Sequence, residues 1–472
     1  MNKAPLELLF APFEERMRSK DIPKIVIANF KHHYLQLVAG DTGLISDDDI
    51  LPVTGLPDIE AMSDDYRSVG SEVLQNTIMI KLNGGLGTSM GMEQAKSLIR
   101  VKHDLCFLDI IIRQAECKQV PLLLMNSFAT HADSLVVLGR YPALDRFGLD
   151  QDFLQHKVPK IKRSDLSPVT WSQAPELEWN PPGHGDIYPS LLTSGMLDKL
   201  LVKGYRYAFI SNSDNLGAVL DESLLGYLVK NQLPFLMEVA DRTKADSKGG
   251  HLARRFDGQL ILRESAQCPE GEMESFQDID RYSYFNTNNI WLNLASLREA
   301  MAARGNVLGL SLIRNAKTVN PRDPDSTPVY QLETAMGSAI SVFKGAAAIR
   351  VPRSRFTPVK TTVDLLLVQS DLYRLNKDYH LLAADPNRKK MPEIMLDDRY
   401  FRLIDDYEYR FPEGVPSLLA CSKLEIEGDI GFARGVVLQG SVFLKNGGGS
   451  RVIIPAGAVI TQEQDWTDRA SE

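Results

Sequence analysis

Residues 78–100 read IMIKLNGGLGTSMGMEQAKSLIR, and this stretch decides the fold. The apolar run Thr77–Lys81 predicts a buried strand, because a short apolar stretch bounded by glycine suits a strand covered on both faces. It ends in the turn Leu82-Asn83-Gly84-Gly85-Leu86-Gly87-Thr88-Ser89-Met90-Gly91. Lacking Cβ atoms, Gly84, Gly85 and Gly87 let the backbone enter left-handed conformations and approach a ligand closely. Successive N–H groups in such a turn converge on one point, which suits a phosphate. Lys96 adds a positive charge behind the turn, and Ser97–Val101 predicts a second short strand. The turn lacks both the Gly-Lys-Ser/Thr ending of a P-loop and the GxGxxG spacing with an acidic ribose partner, so neither motif is expected. Glycine also simply punctuates structure, so a purely structural turn stays open at this level.

Outward from the turn, residues 71–370 alternate short apolar runs with helical stretches. Candidate strands are Thr77–Lys81, Leu122–Asn126, Tyr207–Ser211, Phe235–Val239, Gln259–Arg263 and Asn289–Asn293. Candidate helices are Phe107–Lys118, Thr130–Leu138, Ser190–Lys203, Asp221–Asn231 and Ala295–Ala303. This alternation predicts an α/β domain with a largely parallel sheet between helices, its ligand beyond the carboxyl ends of the strands. The glycine-rich turn and Ser211–Asn215 both lie at such ends. Before it, residues 1–70 are expected to be helical, with Ile25, Ile27, Phe30, Tyr34, Leu35 and Leu37 at helix-like spacing. Asp47-Asp48-Asp49 reads as a helix start or a solvated loop. After it, residues 371–410 are expected to form a charged helical connector. Residues 411–472 change character: Leu424-x-Ile426-x-Gly428-x-Ile430 and Val436-x-Leu438-x-Gly440-x-Val442 repeat at twelve residues, two hexapeptide units, and predict a short parallel β-helix. Its exposed edges predict association between copies of the chain.

Composition narrows the class. The 472 residues suit two or three domains, and the 44% hydrophobic and 24% charged content is that of a globular protein. A formal net charge of −8 argues against nucleic acid as partner, which calls for a basic patch. Cys106, Cys117, Cys268 and Cys421 lack metal-type spacing, so reduced thiols in a cytoplasmic protein are expected. No stretch has the ~18 apolar residues of a membrane span, and no secretory leader is expected.

Four further segments carry candidate chemistry. Pro181-Pro182-Gly183-His184-Gly185-Asp186 holds a histidine between glycines, leaving room for a ligand. Asp214 in Ser211–Asn215 suits Mg²⁺, which takes one or two carboxylates plus substrate phosphates and water. Lys248-Gly249-Gly250 and Phe285–Asn289 pair a close-approach glycine with amides able to bond sugar hydroxyls. Arg350–Thr362, VPRSRFTPVKTT from Val351 on, is a basic segment suited to an anionic ligand. Read alone, each is also explained as a turn, a helix cap or a surface loop. No Ser-His-Asp arrangement is visible, and His32-His33 reads as packing or surface.

Together the motifs resemble one family. KLNGGLGTSMG, FLQHKVPK, PPGHGDIY, SNSDNLGA, MEVADRTKADSKGG, FNTNNIW, QLETAMGSAI and VPRSRFTPVKTTVDLLL occur in the order found in the eukaryotic-type UTP–glucose-1-phosphate uridylyltransferase (UDP-glucose pyrophosphorylase) family, over about residues 25–460. The related UDP-N-acetylhexosamine pyrophosphorylases differ at the first motif, which there begins Leu-Ala-Gly-Gly. The resemblance implies a Rossmann-like, GT-A-like mixed sheet flanked by helices, followed by a left-handed parallel β-helix. It implies uridylyl transfer between UTP and glucose 1-phosphate with Mg²⁺. By resemblance Leu82, Asn83, Gly84, Gly85 and Gln155 hold the uridine, and Gly183 lies against the nucleotide. Lys96 contacts the UTP phosphates and His184 the sugar phosphate. Asn212 lies near ribose and sugar, Asp214 binds the metal, Gly250 and Asn288 contact glucose, and Lys360 reaches the reacting phosphates. The family has Gly-Pro before its counterpart of Lys96, where this chain has Gln94-Ala95, without the ring that fixes the lysine's approach. A broader sugar 1-phosphate specificity and a non-catalytic UDP-sugar-binding role are the alternatives.

Overall fold

The Thr77–Asn83 strand is buried along almost its whole length, as its apolar run requires, and lies at the centre of the architecture. In this computed structural model residues 3–466 are described, except 248 and 389, with side chains from Glu7 onward; the Lys248 of the third candidate segment thus lies outside them. Among the described residues ten strands form the main sheet. Thr77–Asn83 runs parallel to Tyr207–Asn212 on one side and Leu122–Asn126 on the other. Side chains alternate between two cores. Ile78 and Ile80 face one, with Ala208, Ile210 and the helices Ile187–Thr193, Met196–Val202 and Leu294–Ala303; Met79 faces the other, with Phe209 and the helix Phe107–Lys118. That period of two places helices on both faces of the sheet.

The sheet is mixed, as the resemblance implies, rather than largely parallel as the alternation alone suggests. Tyr284–Asn293 runs antiparallel to both Tyr207–Asn212 and Phe235–Asp241. It is longer than the expected Asn289–Asn293 because it contains a bulge. The register jumps from Glu238↔Asn289 to Val239↔Asn286, and Asn288 sits at φ +58°. An asparagine tolerates that left-handed conformation, which in sequence reads as a turn.

Three further expectations are corrected. The single helix Ser190–Lys203 is two, broken where Gly195 takes φ +73°. Ser97–Val101 is a 3₁₀ turn, Lys96–Leu98, leading to a strand at Arg100–Lys102. Residues 371–410 begin with a hairpin, Tyr373–Leu375 against Leu381–Ala383, and only their end is helical, at Asp398–Phe401 and Ile404–Arg410.

Within 1–70, Lys3–Arg18 and Lys24–Val38 are helices joined by a cluster of Phe10, Phe13, Phe30 and Tyr34. Residues 47–49 form a short 3₁₀ turn in which Asp47 accepts from buried Arg263 at 2.6 Å, so that aspartate is not merely solvated. The C-terminal strands Glu393–Leu396, Ser417–Glu427 and Val437–Lys445 stack in parallel, consistent with a β-helix. The twelve-residue repeat is not its coil. Leu424 pairs with Val442 and Ile426 with Leu444, eighteen residues on, so three hexapeptide units make one coil. No helix among the described residues is long and apolar enough to cross a membrane.

Candidate active site

Three parallel strands end side by side, and the site is built on their carboxyl ends. Asn83 is buried, its amide donating to Asn126 Oδ1 and Ser134 Oγ, both at 2.8 Å, so its side chain ties strand ends together. Ser127 Oγ donates to Gly84 O at 3.0 Å. Gln155 N donates to Asn126 O at 2.7 Å, and Gln155 Nε2 to Gly183 O at 3.0 Å. A Cβ on Gly84 would lie 2.9 Å from Gln155 Oε1, and one on Gly183, already at φ +80°, would lie 2.4 Å from Thr334 O. Gly84, Gln155 and Gly183 therefore converge where side chains are absent. Leu82 and Asn212 are paired across the neighbouring strands, at their carboxyl ends.

Lys96 arrives at this point through its backbone: Lys96 N donates to Gly85 O at 3.1 Å. Ala95 holds φ at −57°, inside the range a proline ring imposes. Lys96 Nζ is 2.6 Å from Asp214 Oδ2, both side chains being mostly buried. The other oxygen, Asp214 Oδ1, is buried with no hydrogen-bond partner among the described residues.

The segment carrying Lys360 is stitched to the Asp214 strand end. Val359 N donates to Asp214 O at 3.1 Å. The buried Asn215 side chain donates to Arg355 O at 3.1 Å and accepts from Thr357 N at 2.9 Å. Asp364 accepts from Lys360 N at 2.8 Å and caps the helix Thr362–Gln369. The Lys360 side chain is in no ion pair among the described residues, and its charge opposes the burial that pushes the Glu264 carboxyl upward. Gly250 packs on that carboxyl, where a Cβ would meet Glu264 Oε2 at 2.4 Å. Asn286 N donates to Gly250 O at 3.2 Å, and Asn286 Nδ2 to Asn288 Oδ1 at 2.8 Å, so Gly250 and Asn288 share one corner.

The arginines of the basic segment do not face an open anion site. Arg350 pairs with Asp241 and Asp58, Arg353 with Asp246 at 2.7 Å, and Arg355 with Glu238 at 2.6 Å. Below the site lies a buried polar group that the sequence reading missed. Glu238 and Lys81 are fully buried, and Arg355 nearly so. Glu238 also accepts from Trp291 Nε1 at 2.8 Å and Asn289 Nδ2 at 3.0 Å. Lys81 donates to Ser211 Oγ at 2.7 Å and Ala218 O at 2.9 Å, and burial pushes its ammonium down to about 7. The signal was present as a lone charge inside each apolar run, IMIK and FLMEVA.

His184 Nδ1 accepts from Met336 N at 3.0 Å. Burial holds its pKa down at about 4, so at neutral pH the ring is neutral with its proton on Nε2, a donor without a charge. His33 is likewise held at about 4 and His251 at about 3, chiefly by burial. Each folded-state value lies below the ordinary value of 6.5, so the unfolded chain binds more protons between the two. The stability contributed is complete above about pH 6.5 and is lost as pH falls through the folded values. Urea unfolding midpoints are expected to fall steadily from pH 7 to pH 4.5; a flat profile would show that these rings are not kept neutral by the fold.

The fold and the motifs have counterparts among known proteins. The sequence profile of the family described as UTP–glucose-1-phosphate uridylyltransferase matches residues 27–439. The protein of that name from Solanum tuberosum is 40% identical over 402 residues, 83% of this chain and 81% of its own length. That from Saccharomyces cerevisiae is 39% identical over 394 residues, 82% of this chain and 77% of its own. A crystal structure of a mutant Leishmania major UDP-glucose pyrophosphorylase in complex with UDP-Glc superposes with a TM-score of 0.89 at 41% identity, covering 97% of this chain and 99% of that one. With a profile spanning most of the chain and relatives near 40% identity, the chain belongs to the UTP–glucose-1-phosphate uridylyltransferase family.

Proposed function

We propose that the chain transfers a uridylyl group between UTP and glucose 1-phosphate, reversibly forming UDP-glucose and pyrophosphate. Family membership supports the reaction. The single structural observation that carries the site assignment is the junction of the glycine-rich turn, the Lys96–Asp214 pair and the Lys360 segment at adjoining strand ends. A phosphate oxygen of glucose 1-phosphate forms the new bond to the α-phosphorus of UTP, and the bond from that phosphorus to the bridging oxygen of pyrophosphate breaks. The attacking oxygen is already anionic, so no general base is needed. What the chain must supply is alignment of two repelling anions and compensation of charge on the transferring and leaving groups.

The residues fit those tasks. The turn Leu82–Gly85 lies beside Gln155 and Gly183, which suits the uridine. Lys96 suits the UTP phosphates. Neutral His184 offers Nε2–H to the sugar phosphate, Gly250 and Asn288 suit the glucose, and Asn212 lies between the halves. Lys360 brings an exposed ammonium to the reacting phosphates. The donor set also fits a divalent ion. Asp214 has one free buried oxygen, and no group of three or more metal-ligating side chains exists among the described residues. One carboxylate completed by substrate phosphates and water is the coordination that Mg²⁺ accepts. When bound there, Mg²⁺ supplies charge neutralisation on the phosphates.

Pyrophosphate release from UTP and Mg²⁺ with a panel of sugar 1-phosphates, galactose 1-phosphate included, tests the reading. Glucose 1-phosphate is expected to give the highest kcat/KM, and no turnover with any sugar would sink the reading. Asp214→Asn is expected to lower kcat by about 10²-fold or more, the scale of one lost electrostatic contributor. It should also abolish UTP-dependent Mn²⁺ binding measured by electron paramagnetic resonance. Wild-type Mn²⁺ binding in that variant would place the ion elsewhere.

A further inference from the structure

Gln155 is followed by His156, whose interactions belong to none of the roles above. His156 N donates to Asp186 Oδ2 at 2.7 Å, and His156 Nδ1 lies 3.0 Å from the same oxygen. Ser190 Oγ donates to Asp186 Oδ2 at 2.9 Å, and Thr193 Oγ1 lies 3.0 Å from His156 Nε2. The cluster is enclosed: the Asp186 side chain is 3% exposed and that of His156 11%. It joins two segments, the one that carries Gln155 and the Gly183–Asp186 loop that carries His184.

The joint fixes the orientation of an amide. Gln155 Nε2 donates to Gly183 O at 3.0 Å. A carbonyl only accepts, so the amide cannot turn over while that bond holds, and Oε1 must face the Gly84 side. Toward a pyrimidine the side chain then presents an acceptor and its second N–H. Uracil, with N3–H beside a carbonyl, matches that edge. Cytosine, with an unprotonated N3 beside an amino group, matches only the reversed amide.

We propose that His156 and Asp186 are positioning residues that hold the Gly183 carbonyl against Gln155 and thereby set discrimination of uracil from cytosine. The inference rests on the reading of this site as a UTP site. Buried, hydrogen-bonded networks of this kind hold one geometry because a broken member is left unpaired in a low dielectric. The loop has a second tether, Gly185 N to Thr334 O at 2.8 Å and Thr334 N to Pro182 O at 2.9 Å. Loss of the His156 ring therefore loosens the joint without releasing the loop.

The test is kcat/KM for UTP and for CTP with glucose 1-phosphate, in wild type, His156→Leu and His156→Asn, with thermal midpoints. In His156→Leu the UTP/CTP ratio is expected to fall about tenfold, the scale of one lost hydrogen bond. His156→Asn, whose amide replaces the Nδ1 donor, should restore most of it. An unchanged ratio in folded His156→Leu, or equal losses with both nucleotides, overturns the proposal. Should His156→Leu not fold, His156→Gln is read by the same two outcomes. Calorimetric binding of UMP against CMP to the same proteins separates the two failures. No turnover in wild type sinks the reaction assignment, whereas UMP preference unaltered by the variants sinks the proposal.

Discussion

Replacing Lys360 by alanine is expected to lower kcat by about 10²–10³-fold, the usual effect of removing one donor aimed at transition-state charge. UTP affinity, measured by calorimetry, should change only a few-fold. The asymmetry follows from the geometry. The backbone of Lys360 is pinned, by Asp364 Oδ2 at 2.8 Å on its N–H and by Val359 N to Asp214 O at 3.1 Å one residue earlier. Its side chain is exposed and without an ion-pair partner among the described residues, so its charge is not already compensated by a paired carboxylate. Charge that builds on the transferring phosphoryl group and on pyrophosphate is what it can meet. Lys360→Arg should recover part of kcat, since the charge returns but as a planar fork. Turnover unchanged in the alanine variant would remove Lys360 from the reaction.

The largest expected loss of stability is that of Glu238→Ala. Glu238 is fully buried and accepts from Arg355 Nε at 2.7 Å and Nη2 at 2.6 Å, from Trp291 Nε1 at 2.8 Å and from Asn289 Nδ2 at 3.0 Å. Removing one partner of a buried ion pair leaves the other charge uncompensated, which costs about 3–5 kcal/mol. The midpoint of urea denaturation should fall accordingly. A loss below about 1 kcal/mol would show that water reaches Arg355 in the variant, since a hydrated guanidinium bears little of that cost. Glu238→Gln should lie between, because the amide keeps one acceptor for Trp291 while losing the charge.

Much of the fold was legible where a local rule had no competitor. Thr77–Lys81 and Leu122–Asn126 are apolar runs with no charge beyond Lys81, and both form strands, the first running two residues further into the expected turn, to Asn83. The helix Phe107–Lys118 begins at a Cys106–Asp109 capping box and ends where Gln119 turns left-handed, so its bounds match the pattern. What was not legible depends on distant partners. Nothing near Asn288 in sequence says that Glu238 and Val239 will hold it in a bulge rather than a turn. Nothing near Arg350, Arg353 or Arg355 says that Asp241, Asp246 and Glu238 will neutralise them. The eighteen-residue coil of the C-terminal stack was not legible, because a hexapeptide rhythm gives the unit but not how many units close a turn. At the site, glycines and the metal-type aspartate are readable one by one. The positions of Gln155 against Gly183 and Lys96 against Asp214 emerge only when the strand ends meet.

The pairing of Lys96 with Asp214 bears on how an anion finds the site. Lys96, Arg350, Arg353 and Arg355 each stand against a carboxylate, so near the site their fields cancel beyond a short distance. The chain as a whole carries a formal charge of −8. Cations paired in this way contribute little to the broad positive field that speeds encounter with an anion. Of the site cations named above, the Lys360 ammonium is the one without an ion-pair partner among the described residues, and Lys96 becomes available to an anion only when its bond to Asp214 opens. A site whose cations are mostly paired offers an approaching anion less long-range attraction than the same cations would unpaired.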